Sequence, residues 1–292
     1  MVISRIIGGL GNQMFQYAAG RSLSLKRNTA LALDITGFQG YALHQGFELS
    51  RVFSPSLPIA SHGDVREVLG WQGVPIFRTL LARKLFASLR AKQLILEPHF
   101  QYWSGFDGLN ASCYLSGYWQ SEKYFADSIP QIRKDFTFKA PLDGQNLEHA
   151  AKIQALNAIS LHVRRGDYVS NPKNSATYHA CSTEYYSRAV RYIAERVGKP
   201  TIFIFSDDIK WVEQNLKLEF PCEYITNNFG SDSYNDMRLM SMCRHHIIAN
   251  SSFSWWGAWL NPSAEKIVIA PRQWFAGGTE VRDLFPTEWV TL

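Results

Sequence analysis

The chain has 292 residues, 46% of them hydrophobic and 19% charged, with a formal net charge of +5. Length and composition allow two ordinary domains or one large one and exclude a disordered, repeat or low-complexity protein. The small charge excess does not single out nucleic acid, for which no helix-turn-helix, RNA-binding or zinc-finger pattern is present, and no apolar run approaches the roughly 18 residues that span a bilayer. The opening MVISRIIGGLGNQ has no basic region followed by a long apolar core, so no secretory signal is expected.

Residues 2–7 predict a short buried strand, followed by the loop Gly8-Gly9-Leu10-Gly11-Asn12 and a helix over 13–27 whose inner face is Phe15, Ala18, Ala19 and Leu23. A second strand over 30–34 completes a strand–loop–helix–strand unit. Residues 76–92 predict a helix that is basic, with Arg78, Arg83, Lys84, Arg90 and Lys92, and has an apolar side of Leu80, Leu81, Leu85 and Leu89. No acid lies between Glu67 and Glu97. Two readings fit this stretch: a solvated helix face, which is preferred, and a weak membrane-surface contact.

The segment 139–144 reads as a connector, giving domains of 1–150 and 151–292 with the boundary near 140–156. Strands are expected at 158–163, 201–205, 222–226, 246–249 and 266–270, and helices at 183–197, 209–218, 234–244 and 253–260. This alternation implies a parallel sheet covered by helices on both faces, an α/β architecture. Cysteines 113, 181, 222 and 243 form no CxxC pair and read as reduced thiols. Cys243, His245 and His246 look metal-like at a glance, but their spacing suits a helix end better.

Ligands of open α/β sheets bind beyond the carboxyl ends of the strands, and three strand ends carry distinctive polar residues. The first is His162-Val163-Arg164-Arg165-Gly166-Asp167. Strand alternation places His162 and Arg164 on one face and Arg165 on the other. One guanidinium suits a phosphate, while the other can brace the loop, for instance on Asp167; a plain surface turn is the competing reading. The second is Ser206-Asp207-Asp208, equally suited to capping the next helix and to reading a guanine edge. The third is Asn250-Ser251-Ser252-Phe253, at a helix start that can hold phosphate or simply cap itself. Trp255 and Trp259, four apart, read as core packing.

In the first half, Gly9-x-Gly11 lacks the third glycine of a dinucleotide fingerprint, because Met14 stands there. The loop still lets backbone approach a ligand, with Asn12 and Gln13 supplying polar groups; a glycine turn capped by Asn12 is the alternative. There is no Walker-type phosphate loop and no Asp-x-Asp metal pair, so charge on a diphosphate would fall to arginine, without a metal.

The segments IIGGLGNQMFQYAAGRSL, LSGYWQSEKYF, LHVRRGDYV and LMSMCRHHIIANSSFSWWGAWLN together resemble the α-1,2-fucosyltransferases of glycosyltransferase family 11. The resemblance runs from the first strand to about Trp274. It implies a GT-B-like fold of two facing Rossmann-type domains, an acceptor-side N-terminal domain and a GDP-fucose-binding C-terminal one. The donor would be GDP-β-L-fucose, transferred with inversion and without metal or other cofactor to the 2-hydroxyl of a galactose-terminated oligosaccharide or glycolipid. Nucleic acid is not an expected partner.

By that resemblance, Arg164 holds the diphosphate and His162 lies beside the nucleoside, with Arg165 and Asp167 completing the same signature. Asp207 or Asp208 pairs with guanine. Asn250, Ser251, Ser252 and Phe253 belong to the segment lining the phosphates. Gly11, Asn12 and Gln13 face the reacting sugar. Arg164 and Asn12 are the residues expected to act in catalysis. His44 and Glu48 are weak candidates for a base. A cytoplasmic location, peripheral on the inner membrane face, is the corresponding expectation.

Overall fold

The computed structural model describes residues 1–40, 45–55, 57–166, 177 and 180–292. The chain divides into two compact units. The first is Met1–Lys139 with Arg282–Leu284, and the second is Ala140–Val281 with Phe285–Leu292.

The first unit holds a four-stranded sheet of β1 (Val2–Arg5), β2 (Leu31–Asp34), β3 (Leu94–Leu96) and β4 (Cys113–Ser116), in the order β2-β1-β4-β3 with every pair parallel. β1 and β2 are joined through α1 (Leu10–Lys26). The helix begins three residues before the predicted start, so Asn12 and Gln13 sit in its first turn. Gly9 is the N-cap, and Asn12 does not cap it. Most of α1 is buried, polar residues included. Gln16 accepts a hydrogen bond from the Ile7 N–H at 2.8 Å, and Ser4 Oγ donates to the Gln16 carbonyl at 2.8 Å. A Cβ on Gly20 would lie 2.9 Å from Ser4 Cβ, so the close approach of α1 to β1 depends on glycine. Ile3, Leu94 and Tyr114 pack against Val65, Val68, Leu69 and Leu81, supplied by α2 (His62–Leu69) and α3 (Pro75–Leu81), and α4 (Ile129–Asp135) adds the buried Ile132.

The helix expected over 76–92 is instead α3 followed by a 3-10 segment, Lys84–Leu89. Arg83 is extended between the two. The Arg90 guanidinium donates to the carbonyls of Leu81 at 2.6 Å and Arg83 at 3.1 Å, closing off the end of α3. Nor is the basic face all solvated. Arg78 turns inward to the buried Asp34 carboxylate and the Tyr114 hydroxyl. Burial alone would raise the Asp34 carboxyl, but bonds from Thr36, Tyr114 and Arg78 overcome it and hold the group at about 2.

The second unit is built on a six-stranded parallel sheet. Its strands are β5 (Ala158–Val163), β6 (Thr201–Ser206), β7 (Cys222–Ile225), β8 (His245–Ile247), β9 (Val268–Ala270) and β10 (Val290–Thr291), in the order β10-β9-β8-β5-β6-β7. Ile159, Leu161, Val163, Ile202 and Ile204 pack on Tyr186, Ala189, Val190, Ile193 and Val212, carried by α6 (Thr183–Val197) and α7 (Ile209–Asn215). Ala158, Phe203 and Phe205 pack on Ala150, Ile153, Leu239 and Met240, carried by α5 (Gly144–Ala155) and α8 (Tyr234–Met242). A boundary at 150 would cut α5 in the middle. The division falls at 139/140 because that whole helix covers the second sheet.

The final helix of this unit is α9 (Ser252–Leu260), whose Trp255, Trp256 and Trp259 are buried, the first and last stacked at 6.2 Å. They serve the core, as their spacing suggested. All four cysteines are free; Cys113 and Cys243 are buried, Cys181 and Cys222 half-buried. Among the described residues no helix is long and apolar enough to cross a membrane.

Candidate active site

The carboxyl edge of the second sheet gathers most of the residues singled out from the sequence. β5 ends at Val163, and His162 pairs in register with Phe205 of β6. Strand alternation aims the His162 side chain away from the Leu161 and Val163 face, and its ring centroid lies 6.0 Å from that of Phe253. Burial first, and the Arg164 charge second, push the His162 imidazole down to about 4 against an opposing pull from Asp207. The ring is therefore neutral near pH 7. Its buried Nδ1 has no hydrogen-bond partner among the described residues, an atom suited to a neutral ligand group.

Arg164 and Arg165 lie just past the strand end, and Asp207 grips both. Its Oδ2 is 3.2 Å from Arg164 Nη1, and its Oδ1 accepts the Arg165 backbone N–H at 2.9 Å. The Arg165 guanidinium stacks over Trp211 of α7 at 4.1 Å. Arg164 and Arg165 thus diverge as strand alternation required. The brace on the loop is Asp207; Asp167, which the sequence offered for that part, lies outside the described residues, as does His44. Gly166 permits the arrangement, since a Cβ there would sit 3.0 Å from Asp207 Oδ2.

Asp208 realises the capping alternative: its carboxylate accepts the Trp211 N–H at 3.2 Å at the start of α7. Of the third motif, Ser251 caps α9 by accepting the Phe253 N–H at 3.3 Å. Ser251, Ser252 and Phe253 are all half-buried, at a helix start whose dipole favours an anion. Asn250 is different. It is fully buried and donates to the Trp274 carbonyl at 2.9 Å, a brace for the following loop rather than a surface group. Beside it, a cavity of about 350 Å³ opens among residues that include Cys181, Tyr185, Arg188 and Arg272.

The imidazoles of the metal-like trio are engaged within the fold. Asn261 donates to His246 Nε2 at 2.9 Å, so Nδ1 carries the proton toward Ser160 Oγ at 2.8 Å. His245 Nδ1 accepts the Ile267 N–H at 3.1 Å. Among the described residues no cluster of metal-ligating side chains occurs.

At the carboxyl edge of the first sheet, Gly8 holds φ +80°, and a Cβ there would meet Asn12 Nδ2 at 2.9 Å. Asn12 is half-buried and its Oδ1 accepts Gln120 Nε2 at 2.7 Å. Gly11 is buried in the same helix start. Gln13 is fully buried and does not face outward. Its amide donates to the carbonyls of Gly8 at 2.9 Å and Gly46 at 2.7 Å, and its Oε1 accepts the Glu48 N–H at 2.9 Å. Glu48 is buried and paired with Arg51 at 2.7 Å, and it accepts the Leu10 N–H. Burial raises its carboxyl against those partners. It acts as a brace under the glycine loop, a poor position for a base.

Sequence reasoning assigned no role to the turn after β4. Trp119 there holds φ +54°, costly for a bulky residue, and Glu97 fixes it by accepting the N–H groups of Tyr118 at 2.6 Å and Trp119 at 3.0 Å. Gln120 is the product of this turn: the strained backbone delivers its amide to Asn12. The motif LSGYWQSEKYF carried the signal, as a run of residues with no periodicity.

A family model described as Glycosyl transferase family 11 matches residues 93–292. Over its full length the chain is 36% identical to Alpha-1,2-colitosyltransferase of Escherichia coli, covering 99% of that protein. It is 35% identical to O-antigen biosynthesis glycosyltransferase WbnK of Escherichia coli, with 99% of each chain covered. Galactoside alpha-(1,2)-fucosyltransferase 2 of Rattus norvegicus is 25% identical over 87% of this chain and 65% of its own length. The solved structure of fucosyltransferase NodZ from Bradyrhizobium is similar with a TM-score of 0.53 at 15% identity, over 89% of this chain and 93% of its own. That likeness bears on the fold, which is of the GT-B class expected from the sequence.

Proposed function

The chain belongs to glycosyl transferase family 11, and from that premise we propose that it transfers L-fucose from GDP-β-L-fucose to the 2-hydroxyl of a terminal galactoside, with inversion and without a metal. The observation that carries the proposal is the Asp207 grip on Arg164 and Arg165 beside the neutral, buried His162. A cation held at a strand end, next to the positive end of a helix dipole, suits a nucleotide diphosphate whose negative charge grows as it leaves. The α-1,2 linkage in the names of the relatives supports the regiochemistry, and the galactoside named for the rat relative supports the acceptor class.

In this reading the bond from fucose C1 to the β-phosphate oxygen breaks while the acceptor O2 bonds to C1 from the opposite face. Arg164 and the N-terminus of α9 with Ser251 and Ser252 stabilise the departing GDP. His162 and Phe253 flank the nucleoside; with Asp207 committed to the arginines and Asp208 Oδ1 to the cap of α7, the second carboxylate oxygen of Asp208 is the one offered to guanine. The second unit is then the donor-binding domain. The first unit takes the acceptor, and Asn12, fixed by Gln120, orients the reacting groups. No side chain is assigned to the acceptor proton, which a loose, oxocarbenium-like transition state releases late to water or phosphate.

One observation favours a neighbouring reading. The similar Escherichia coli protein is named for colitose, a fucose lacking the 3-hydroxyl, so the same machinery with a GDP-colitose donor is the alternative. The test is GDP release with GDP-fucose, with and without lactose, in EDTA. Lactose-dependent release with a 2-linked fucosyl product supports the proposal. Turnover of GDP-colitose at a much higher kcat/KM than GDP-fucose transfers it to the alternative, and strict dependence on added divalent metal refutes the metal-free mechanism.

A further inference from the structure

The Arg78 ion pair has a consequence on the opposite side of its helix. With Arg78 and Leu81 turned inward to Asp34 and the sheet, the helical repeat sends Ile76, Phe77 and Leu80 outward. The 3-10 segment that follows adds Leu85 and Leu89, and the preceding turn adds Trp71, whose ring meets Phe77 edge-on at 5.3 Å. Exposure of these six side chains runs from 38% at Leu80 to 84% at Leu85. Scattered single apolar residues on a surface need no explanation, but six within nineteen positions do.

Charge completes the pattern. Arg83, Lys84 and Lys92 are exposed in the same stretch, and no acid occurs between Glu67 and Glu97. We propose that Trp71, Ile76, Phe77, Leu80, Leu85 and Leu89 form a contact that inserts shallowly into an anionic lipid bilayer, with Arg83, Lys84 and Lys92 on its headgroups. An indole and aliphatic side chains interleaved in sequence with cations are the chemistry of an interfacial anchor. A second copy of the chain is a poorer occupant, because apposed patches would set the Arg83, Lys84 and Lys92 of one copy against those of the other, within a stretch that holds no acid. Nucleic acid would meet the cations but leave the leucines without a partner.

The test is co-sedimentation of the full chain with vesicles of phosphatidylcholine alone and with vesicles that include phosphatidylglycerol. Binding is expected to the anionic vesicles, to fall on raising salt as headgroup attraction is screened, and to persist in part through the apolar insertion. The Leu85→Glu/Leu89→Glu variant is expected to lose vesicle partitioning by roughly tenfold or more per leucine. Its melting temperature and its turnover of a soluble acceptor stay unchanged, since both leucines are exposed. Lys84→Glu should weaken binding to anionic vesicles alone. Absence of wild-type binding to phosphatidylglycerol vesicles overturns the proposal, and so does binding indifferent to the double variant. Concentration-dependent self-association without vesicle binding, abolished by the same variant, also overturns it in favour of a second copy.

Discussion

Arg164→Ala separates a binding role from a structural one. The Arg164–Asp207 pair is 3.2 Å long, with about a quarter of each side chain exposed. Solvent screens such a pair, so its loss should lower folding stability by no more than about 1 kcal/mol. Loss of a charge-assisted contact to a leaving diphosphate should instead cost about 2–4 kcal/mol of transition-state stabilisation, roughly 30- to 1,000-fold in kcat/KM. The assay is GDP release with GDP-fucose and lactose, read beside a thermal melt. A third readout reports whether the side chain sits where it is described: because its charge helps depress His162, its removal should raise the imidazole pKa from about 4. The rise should stop short of the free value, since burial is the larger cause. A folded Arg164→Ala enzyme with near-normal kcat/KM refutes the assignment.

Gly8→Ala forces an alanine into φ +80° and its Cβ against Asn12; a loss of about 1–2 kcal/mol in denaturant stability is expected, together with reduced turnover as Asn12 is displaced. The depressed His162 pKa makes the unfolded chain take up more protons between pH 6.5 and about 4, so its contribution is present above pH 6.5 and lost as pH falls through that window. His162→Phe should match the wild type in that respect at pH 7 and narrow the acid loss, on the order of 3 kcal/mol at most, in urea melts at pH 4.5. Asp236 works in the opposite sense: burial raises its carboxyl to about 7, against the bond from Asn228. Asp236→Asn should therefore match the wild type below pH 4 and gain on it as pH rises through 7, measured by the same melts.

The second unit was legible because every strand that carries a motif is a short apolar run followed by polar residues, and a parallel sheet buries such runs on both faces. The helix at 183–197 matches its predicted limits, since its apolar stripe ends at a glycine. The choice for Asp207 and Asp208 was open, because one residue of shift at a strand end decides which carboxylate caps and which reaches back to the arginines. The stretch 76–92 misled for a different reason. Its periodicity is real, but the face turned inward was selected by Arg78 finding Asp34, forty-four residues away in sequence. Gln13 looked like a ligand-facing amide; its three bonds run to Gly8, Gly46 and Glu48, partners that only the folded chain brings together. Gln120 and Asn12 meet across 108 residues for the same reason.

The three residues Arg282–Leu284 belong to the first unit although they follow nearly all of the second. There Asp283 accepts the Tyr102 N–H at 3.1 Å and pairs with Lys123, while its carbonyl accepts Ser121 Oγ at 2.5 Å. Phe285–Leu292 then return to the second unit, where β10 closes the edge of the sheet. The order of synthesis therefore differs from the order of completion. A chain still growing on the ribosome can assemble its first sheet early, yet Tyr102, Ser121 and Lys123 wait for an aspartate nine residues from the end. Loss of the segment that carries Asp283 is felt as a loosening between residues 102 and 123 of the first unit.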